Sequence, residues 1–401
     1  MNPQAAGRAA AEEAMAAKAG VEEIRARNRA AVLARLRRSG PLSRTALAAA
    51  TGLSGASLSS IAADLLAEGL IAADALVQGG RGRPQAPLRI DGARAATLAL
   101  FVSADAVRLR LSDYAGATLA ESAAAPLPAD ADAEATLHAL RARIADFLAQ
   151  APSAPPLVAV ALAVQGVMDR DGRRLIWSPI LRPRDLDLAA PLTRSLGATV
   201  TALNDCSAMA EALLWTRPDL GPDFAVILTG AGVGMGLALG GAVFEGRASS
   251  ALEFGHVTHI PGGAPCRCGR AGCVEAYVAD YGLSRAAGAA DPAAAARAGD
   301  PTARAAFEAA GAALGYGAAR LFALFGPLRL ALAGPGARDF DLMADGFRKA
   351  LGEGLAPELS ADPEVVLIPD ASSVALDGAA LHARARLDAA FARRAPLEGA
   401  A

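Results

Sequence analysis

Cysteine is scarce in this chain: four in 401 residues, too few to frame a disulfide-built fold. Net charge is nearly absent, at -2, while 53% of the residues are hydrophobic. That combination excludes a wholly disordered chain and fits a compact soluble one. No short-period repeat is visible, which argues against a solenoid. No secretory leader is read at the start. Glu12, Glu13 and Lys18 interrupt its alanine-rich first twenty residues, and no apolar core follows a basic start. One long stretch, Phe224 to Phe244, lacks charge and has the length of a membrane span. Its six glycines and turn signals make two buried strands around a glycine loop the better reading. A cytoplasmic protein with no membrane partner is therefore expected, built from two or three domains.

What the chain does have is an uneven distribution of charge. Ten arginines and no lysine lie between Arg25 and Arg89, against only Asp64, Glu68 and Asp74. The excess of seven positive charges leaves the remainder acidic. A basic block at one end suits a polyanionic partner; a solvated helical face is the alternative. Local patterning favours the partner. Periodicity predicts an amphipathic helix over Asn28–Arg38, with Val32, Leu33 and Leu36 on one face. Gly40-Pro41 stops it, and Ser43 caps a second short helix carrying Leu47. After Gly52-Leu53, Ser54 caps a third helix, with Leu58, Ile61, Leu65 and Leu66 facing inward. Leu70-Ile71 begins an extended segment, Gly79-Gly80-Arg81-Gly82-Arg83-Pro84 forms a basic loop, and Leu88-Arg89-Ile90 returns as a strand.

That order is the order of a winged helix-turn-helix. Its third helix can enter a major groove about 12 Å wide. Ser54, Ala56, Ser57 and Ser59 would then offer small side chains and hydroxyls to base edges and phosphates. Ser43 and Arg44 at the second helix, and Arg81 and Arg83 on the loop, complete the expected DNA-contacting set. The third helix starts without Arg or Lys, so phosphate contacts and the wing are expected to supply most of the affinity. A three-helix dimerisation unit is the alternative reading.

The expected organisation is a frayed or helical lead-in over 1–24, the winged head over 25–92, and a larger unit over 95–394. In that unit, strand-like runs at Leu98–Val102 and Val107–Ser112 precede a turn at Asp113–Gly116. A helix at Ala133–Ala149 and a continuous apolar run at Val158–Val164 follow. Strands and helices alternate to about Arg393, which predicts an α/β architecture. Two similar strand-rich openings, near 97 and near 224, point to a duplicated two-lobed domain.

Cys266, Cys268 and Cys273 cluster within eight residues, spacing that reads as metal binding in a reducing compartment. The alternative is three reduced core cysteines. The run Cys266-Arg267-Cys268-Gly269-Arg270-Ala271-Gly272-Cys273-Val274-Glu275 resembles the signature of the ROK family of repressors and sugar kinases. Glu253-Phe254-Gly255-His256 resembles its Glu-x-Gly-His, and Asn204-Asp205 its Asn-Asp pair. Gly79 to Pro84 is similar to the Gly-Arg-Pro that ends the winged module in the family's regulators, particularly the xylose-repressor and N-acetylglucosamine-repressor types. The resemblance covers about 27 to 390 and implies an actin-like, ribonuclease-H-like two-lobed fold.

The resemblance also assigns chemistry. Three thiolates and one imidazole make a closed tetrahedral shell that suits one structural Zn²⁺ per chain. Spacing alone leaves His256 and His259 open; the family pattern selects His256 beside Cys266, Cys268 and Cys273. Asn204, Asp205, Glu253, His256 and Glu275 would line a sugar pocket. The aspartate matching Asp205 is the general base of the family's kinases; a helix cap is the plainer role for Asn204-Asp205. Gln165-Gly166 stands for the usual Pro-Gly, and Ile180 follows Pro179 where kinases often carry Asn. The first phosphate loop, Asp-x-Gly-Gly-Thr in the kinases, is Phe101-Val102-Ser103-Ala104-Asp105 here. The second, Gly230-Ala231-Gly232-Val233-Gly234-Met235-Gly236, keeps its glycines, with Ala231 for Thr. In a later nucleotide-side motif, Gly334-Pro335-Gly336, Pro replaces glycine.

The chain is thus read as a regulator, a repressor by expectation, with no catalytic residue retained beyond a vestigial base at Asp205. It would bind operator DNA as a homodimer or homotetramer and respond to a sugar or sugar derivative. An active sugar kinase with a DNA-binding head, and a protein-binding regulator without a sugar, are the alternatives. Binding of duplex DNA is expected to weaken steeply as salt rises, and Arg81→Ala with Arg83→Ala to flatten that slope by about two. A titration series in rising salt checks this; an unchanged slope would mean the wing is misassigned.

Overall fold

The computed structural model describes residues 3–74, 86–246, 252–359 and 363–395. Helix α1 (Pro3–Ser39) runs without a break through the expected lead-in and the first helix of the head. Its Val32, Leu33 and Leu36 are buried against the next two helices, α2 (Arg44–Thr51) and α3 (Gly55–Ala67). Both are capped as their sequences require. Ser43 Oγ accepts from the Ala46 amide at 3.2 Å, and Ser54 Oγ from the Ser57 amide at 3.2 Å. Gly52 ends α2 at φ 68°, a left-handed geometry that suits glycine. The two helices are bent 113° apart, within the range of a helix-turn-helix. Strands β1 (Ile71–Ala73) and β2 (Leu88–Ile90) pair antiparallel as the base of a wing. The expected wing arginines, Arg81 and Arg83, lie outside the described residues.

The larger unit is built twice on one plan. The first lobe contains β3 (Ala96–Val102), β4 (Val107–Asp113), β5 (Thr118–Ala124), α4 (Ala133–Leu148) and β6 (Leu157–Val164). A small antiparallel sheet follows, β7 (Val167–Met168), β8 (Arg174–Trp177) and β9 (Leu186–Asp187), then α5 (Ala189–Leu196) and β10 (Thr199–Asn204). Helix α6 (Asp205–Thr216) leads to β11 (Phe224–Thr229), β12 (Val233–Leu239) and β13 (Ala242–Val243). Short helices α7 (Glu275–Val278), α8 (Asp280–Ala287) and α9 (Pro292–Arg297) precede α10 (Pro301–Phe325) and β14 (Arg329–Ala333). The chain closes with α11 (Phe340–Gly354), β15 (Val365–Ile368) and α12 (Ala371–Arg393).

The first sheet runs β10-β6-β3-β4-β5 and the second β15-β14-β11-β12-β13. In each, three leading strands are antiparallel and the two added strands parallel. This is the two-lobed α/β duplication of an actin-like fold, joined to a winged helix-turn-helix head. Among the described residues no single helix is long and apolar enough to cross a membrane. The uncharged stretch from Phe224 is the β11–β12 hairpin, with Phe224, Val226 and Leu237 buried.

Strand alternation sorts the core into layers. Leu98, Leu100 and Val102 of β3 face a cluster that includes Leu140 and Ile144 of α4. Ala99 and Phe101 face the opposite way, onto α6 and α12. Phe224 and Val226 of β11 face the same two helices, whereas Ala225 and Ile227 face α10. Helices α6 and α12 thus form a middle layer between the sheets. They meet backbone to backbone: a β-carbon on Gly378 would lie 1.9 Å from the Ala208 carbonyl oxygen.

The head is bound to this layer through its own core, which includes Tyr114, Leu387 and Phe391 of the larger unit. Arg29 is 1% exposed; it donates to Glu68 at 3.1 Å and to the Phe391 carbonyl at 3.0 Å. Burial works against the Glu68 carboxylate, but bonds from Arg29 and Arg394 outweigh it and hold Glu68 below the ordinary glutamate range. Arg37 donates to Asp388 at 2.8 Å and to the Tyr114 carbonyl at 2.7 Å. Removing one partner of so buried a pair typically costs about 3–5 kcal/mol.

Candidate functional site

His256, Cys266, Cys268 and Cys273 converge: their ligand atoms all lie within 4.8 Å of one another. The 3₁₀ turn Phe254–His256 brings the imidazole, and the loop that Gly269 and Gly272 allow to double back brings the thiols. Cys268 Sγ is 3.7 Å from Cys273 Sγ, and Cys266 Sγ is 3.7 Å from His256 Nδ1. A tetrahedral ion with metal–sulfur bonds of about 2.3 Å requires edges near those lengths. The donor set therefore fits a closed metal site. His259, the other histidine left open by spacing, packs between Tyr277 and Tyr316 instead.

The imidazole has a second edge. His256 Nε2 lies 3.6 Å from Glu253 Oε2, whose side chain is 53% exposed. The loop that could hold a metal thus also orients a polar group toward open space. Glu275 starts α7 and is buried; its Oε2 accepts from the Val233 amide at 3.2 Å. Its Oε1 lies 3.6 Å from Cys266 Sγ and accepts from Tyr281 Oη at 3.2 Å.

On the other side stands the start of α6. Asn204 is its N-cap, and the side-chain oxygen accepts from the Cys206 and Ser207 amides at 2.9 and 3.1 Å. Its nitrogen donates to the Gly166 carbonyl at 2.7 Å and to Asp205 Oδ1 at 3.0 Å. Capping does occur here, and Asp205 Oδ1 also accepts from the Cys206 amide at 3.0 Å. Burial pushes the Asp205 carboxyl up to about 6, against bonds from Cys206 and Asn204 that favour its charged form. The Cys206 thiol is pushed well up, by burial first and then by Asp205 and Glu253. Both carboxylates therefore act on one buried thiol, although among the described residues no hydrogen bond or ion pair joins Asp205 to Glu253, His256 or Glu275.

The turns that the sequence resemblance assigns to phosphate are internally occupied. Phe101 is 5% exposed and packs into the middle layer. The Ser103 amide donates to the Ala106 carbonyl at 3.0 Å, and the Ala104 amide donates to Gln165 Oε1 at 3.1 Å. Ser103 Oγ donates to the Asp105 carboxylate in the same turn. The glycines retained in the second loop have packing reasons. A β-carbon on Gly234 would meet Cys206 Sγ at 2.6 Å, and on Gly236 the Cys206 carbonyl oxygen at 2.1 Å. A β-carbon on Gly336 would meet Thr229 Oγ1 at 2.3 Å, and Pro335 lies over Gly230. Those glycines are required by close approach of chain segments, whatever the cleft binds. Ile180 is half-buried against the first-lobe core.

In the head, Ser54, Ala56, Ser57 and Ser59 are exposed along the start of α3, and Arg44 is exposed at the start of α2. Ser43 is committed to its cap, and Ser54 and Ser57 share a 2.9 Å bond. Ser59 Oγ bonds back to the Gly55 carbonyl at 2.7 Å. Three residues escaped the reading by pattern. Gln165 was visible as a departure from Pro-Gly but not as the partner of Ala104. Tyr281, under the Arg267 guanidinium at 4.2 Å, carries no pattern signal for its bond to Glu275. Trp215 meets Arg38 of α1 at 4.7 Å, a contact between residues 177 positions apart.

The ROK family matches over residues 99–386. A glucokinase of Halalkalibacterium halodurans is 32% identical over 33% of this chain and 40% of its own length. The xylose repressor of Bacillus subtilis is 24% identical over 64% of this chain and 66% of its own. An N-acetylmannosamine kinase of Salmonella newport is 33% identical over 40% of this chain and 54% of its own. The chain thus spans less than two thirds of the length of two of these curated relatives, and about two thirds of the third. Among solved structures, a ROK family transcriptional regulator described as a homologue of the E. coli MLC protein superposes with a TM-score of 0.80 at 24% identity. That match covers 91% of this chain and 97% of the other. A Streptomyces griseus ROK glucokinase, solved with glucose and AMPPNP, gives 0.60 at 26% identity over 72% and 99%.

The raised Asp205 carboxyl sets a pH dependence. Its stabilising protonated form is complete below the ordinary value of 3.8 and is lost as pH rises through about 6. Asp205→Asn keeps the acceptor oxygen and removes the charge. It is expected to raise stability above pH 6 by up to about 3 kcal/mol and to flatten the decline between about pH 4 and 6. Thermal denaturation across that range checks it; coincident pH profiles for parent and variant would refute the burial of a charge there.

Proposed function

The chain belongs to the ROK family, and from that premise we propose that it is a DNA-binding transcriptional regulator, acting as a repressor, whose two-lobed domain senses a sugar or sugar derivative without phosphorylating it. The observation that carries this reading is the first phosphate turn. Phosphoryl transfer needs free backbone donors and a carboxylate that manages Mg²⁺. Here the Ala104 amide is taken by Gln165, the Ser103 amide by Ala106, and the carboxylate position is Phe101 in the core. Asp105 adds a carboxylate to the same turn, bonded by Ser103 Oγ.

The sugar side remains furnished. Asn204, Asp205, Glu253, His256 and Glu275 supply an amide, carboxylates and an imidazole for a hydroxyl-rich ligand. The exposed starts of α2 and α3, with Arg44, Ser54, Ala56, Ser57 and Ser59, form the proposed DNA face, joined by Ser43 and by Arg81 and Arg83 of the wing. Two-fold related half-sites would call for a homodimer or a homotetramer. Zn²⁺ suits His256, Cys266, Cys268 and Cys273, with a structural role: no open position remains, and the ion would hold His256 so that Nε2 faces the pocket. The proposed domain limits are 25–92 for the head, after a lead-in over 1–24, and 95–394 for the sensor.

A second reading, a sugar kinase with an appended head, draws on two observations. Asp205 is present with its carboxyl near 6, a poise useful to a general base. Kinases stand among the relatives at 32% and 33% identity. A coupled assay with ATP, Mg²⁺ and a hexose panel discriminates: no turnover above background is expected, and robust turnover would replace the sensor reading. Footprinting on the DNA flanking its own gene, with and without candidate sugars, tests the regulator directly. For the metal, one zinc per chain is expected, with loss of the ion and a lowered melting temperature in Cys266→Ser. A Cys266→Ser protein that kept one zinc per chain would remove the assignment.

A further inference from the structure

Helix α6 has one end in the cleft and the other at the head. Its start carries Asn204 and Asp205; its last turn carries Trp215, stacked under Arg38 one residue before the end of α1. Twelve residues of α-helix span about 18 Å. Along that length α6 is clamped to α12. The Ala208 carbonyl sits where a Gly378 β-carbon would be, and His382 Nδ1 lies 3.0 Å from Glu211 Oε2. No gap at Gly378 is left for one helix to slide without the other.

Helix α12 in turn ends on α3. Arg394, held left-handed at φ 52°, pairs with Glu68 at 2.8 Å and Asp64 at 3.3 Å near the C-terminal end of α3. The Phe391 carbonyl accepts from Arg29, which also holds Glu68, and Asp388 holds Arg37. Thus α3 is gripped at its C-terminal end by both α1 and α12, while its N-terminal turn is free to face DNA.

We propose that the α6–α12 pair is the strut through which occupancy of the Asn204–Asp205 site sets the orientation of α3, with Trp215–Arg38 and Arg394–Asp64/Glu68 as its two outputs. This rests on the sensor reading of the cleft. The input is local. Asn204 joins α6 to the first lobe through the Gly166 carbonyl at 2.7 Å. Sugar hydroxyls engaging Asn204 and Asp205 compete with that bond and pull on the helix start. Packed helices answer such pulls by shifts of about 1–2 Å as whole bodies. The strut delivers that shift to the arginine contacts of the head.

The protein has two tryptophans, Trp177 and Trp215. In a Trp177→Phe background the emission therefore reports the α6–α1 junction alone. Binding of a duplex from the DNA flanking its own gene, without sugar, is expected to shift that emission, because coupling between two sites is reciprocal. A duplex that binds and leaves the emission unmoved overturns the strut. The second arm uses D-glucose, D-xylose, N-acetylglucosamine and N-acetylmannosamine as probes in calorimetry. For a probe that binds, the parent should show a change in duplex affinity of about 5–150-fold. Trp215→Ala should bind the same probe within about twofold of the parent yet lose most of that change, while Trp215→Phe, which keeps a ring under Arg38, retains it. Arg38→Gln breaks the same contact without opening a cavity and serves if Trp215→Ala does not fold. Full retention of the sugar effect in the folded Ala or Gln variant overturns the strut and leaves the sensor reading standing. Failure of every probe to bind counts against the sugar, while the duplex arm still decides the strut.

Discussion

Two helices buried between two sheets impose the main constraint on this molecule. Helices α6 and α12 touch both five-stranded sheets, so their side chains must be small and their backbones close. Ala208, Ala375, Ala379 and Ala383 meet that demand, and Gly378 meets it at the tightest point. The proposed ligand site and the head hang on the same layer. Asn204 and Asp205 begin one helix, and the contacts to Arg29 and Arg37 end the other. Dense packing makes such a layer stiff, and stiffness is what allows a polar event at one end to matter at the other.

Much of the fold was legible because its signals are local. Ser43 and Ser54 announce helix starts that the chain then makes, and the strands near 97 and 224 open two equivalent sheets. Periodicity found Val32, Leu33 and Leu36 but cut the first helix short. Alanine-rich residues before Asn28 carry no amphipathic stripe, so high helix propensity rather than patterning extends α1 to Pro3. The four metal-type ligands were legible by motif, whereas spacing could not exclude His259. Its exclusion comes from packing with Tyr277 and Tyr316, from segments far apart in sequence. The Trp215–Arg38 and Arg394–Glu68 contacts had no local signal at all, since each joins the head to an element of the larger unit.

The nucleotide side teaches a related point about glycine. A glycine-rich hairpin invites a phosphate reading, yet Gly234 and Gly236 are explained by α6 pressing on β12, and Gly336 by Thr229. The informative residue is Gln165, whose amide oxygen accepts from the Ala104 backbone amide in the turn read from the sequence as the first phosphate loop. Donors already satisfied inside the chain offer little to a ligand, because binding would have to break one bond to form another.

The shared core at the head has a consequence for dissection. Tyr114, Leu387 and Phe391 are covered by side chains from α1 and α3, not by the larger unit alone. Cutting the chain near residue 95 would bare that apolar surface and strand the Asp388 carboxylate without its guanidinium. A truncated larger unit would tend to self-associate for reasons foreign to the intact protein, and its assembly state would say nothing about that of the whole chain.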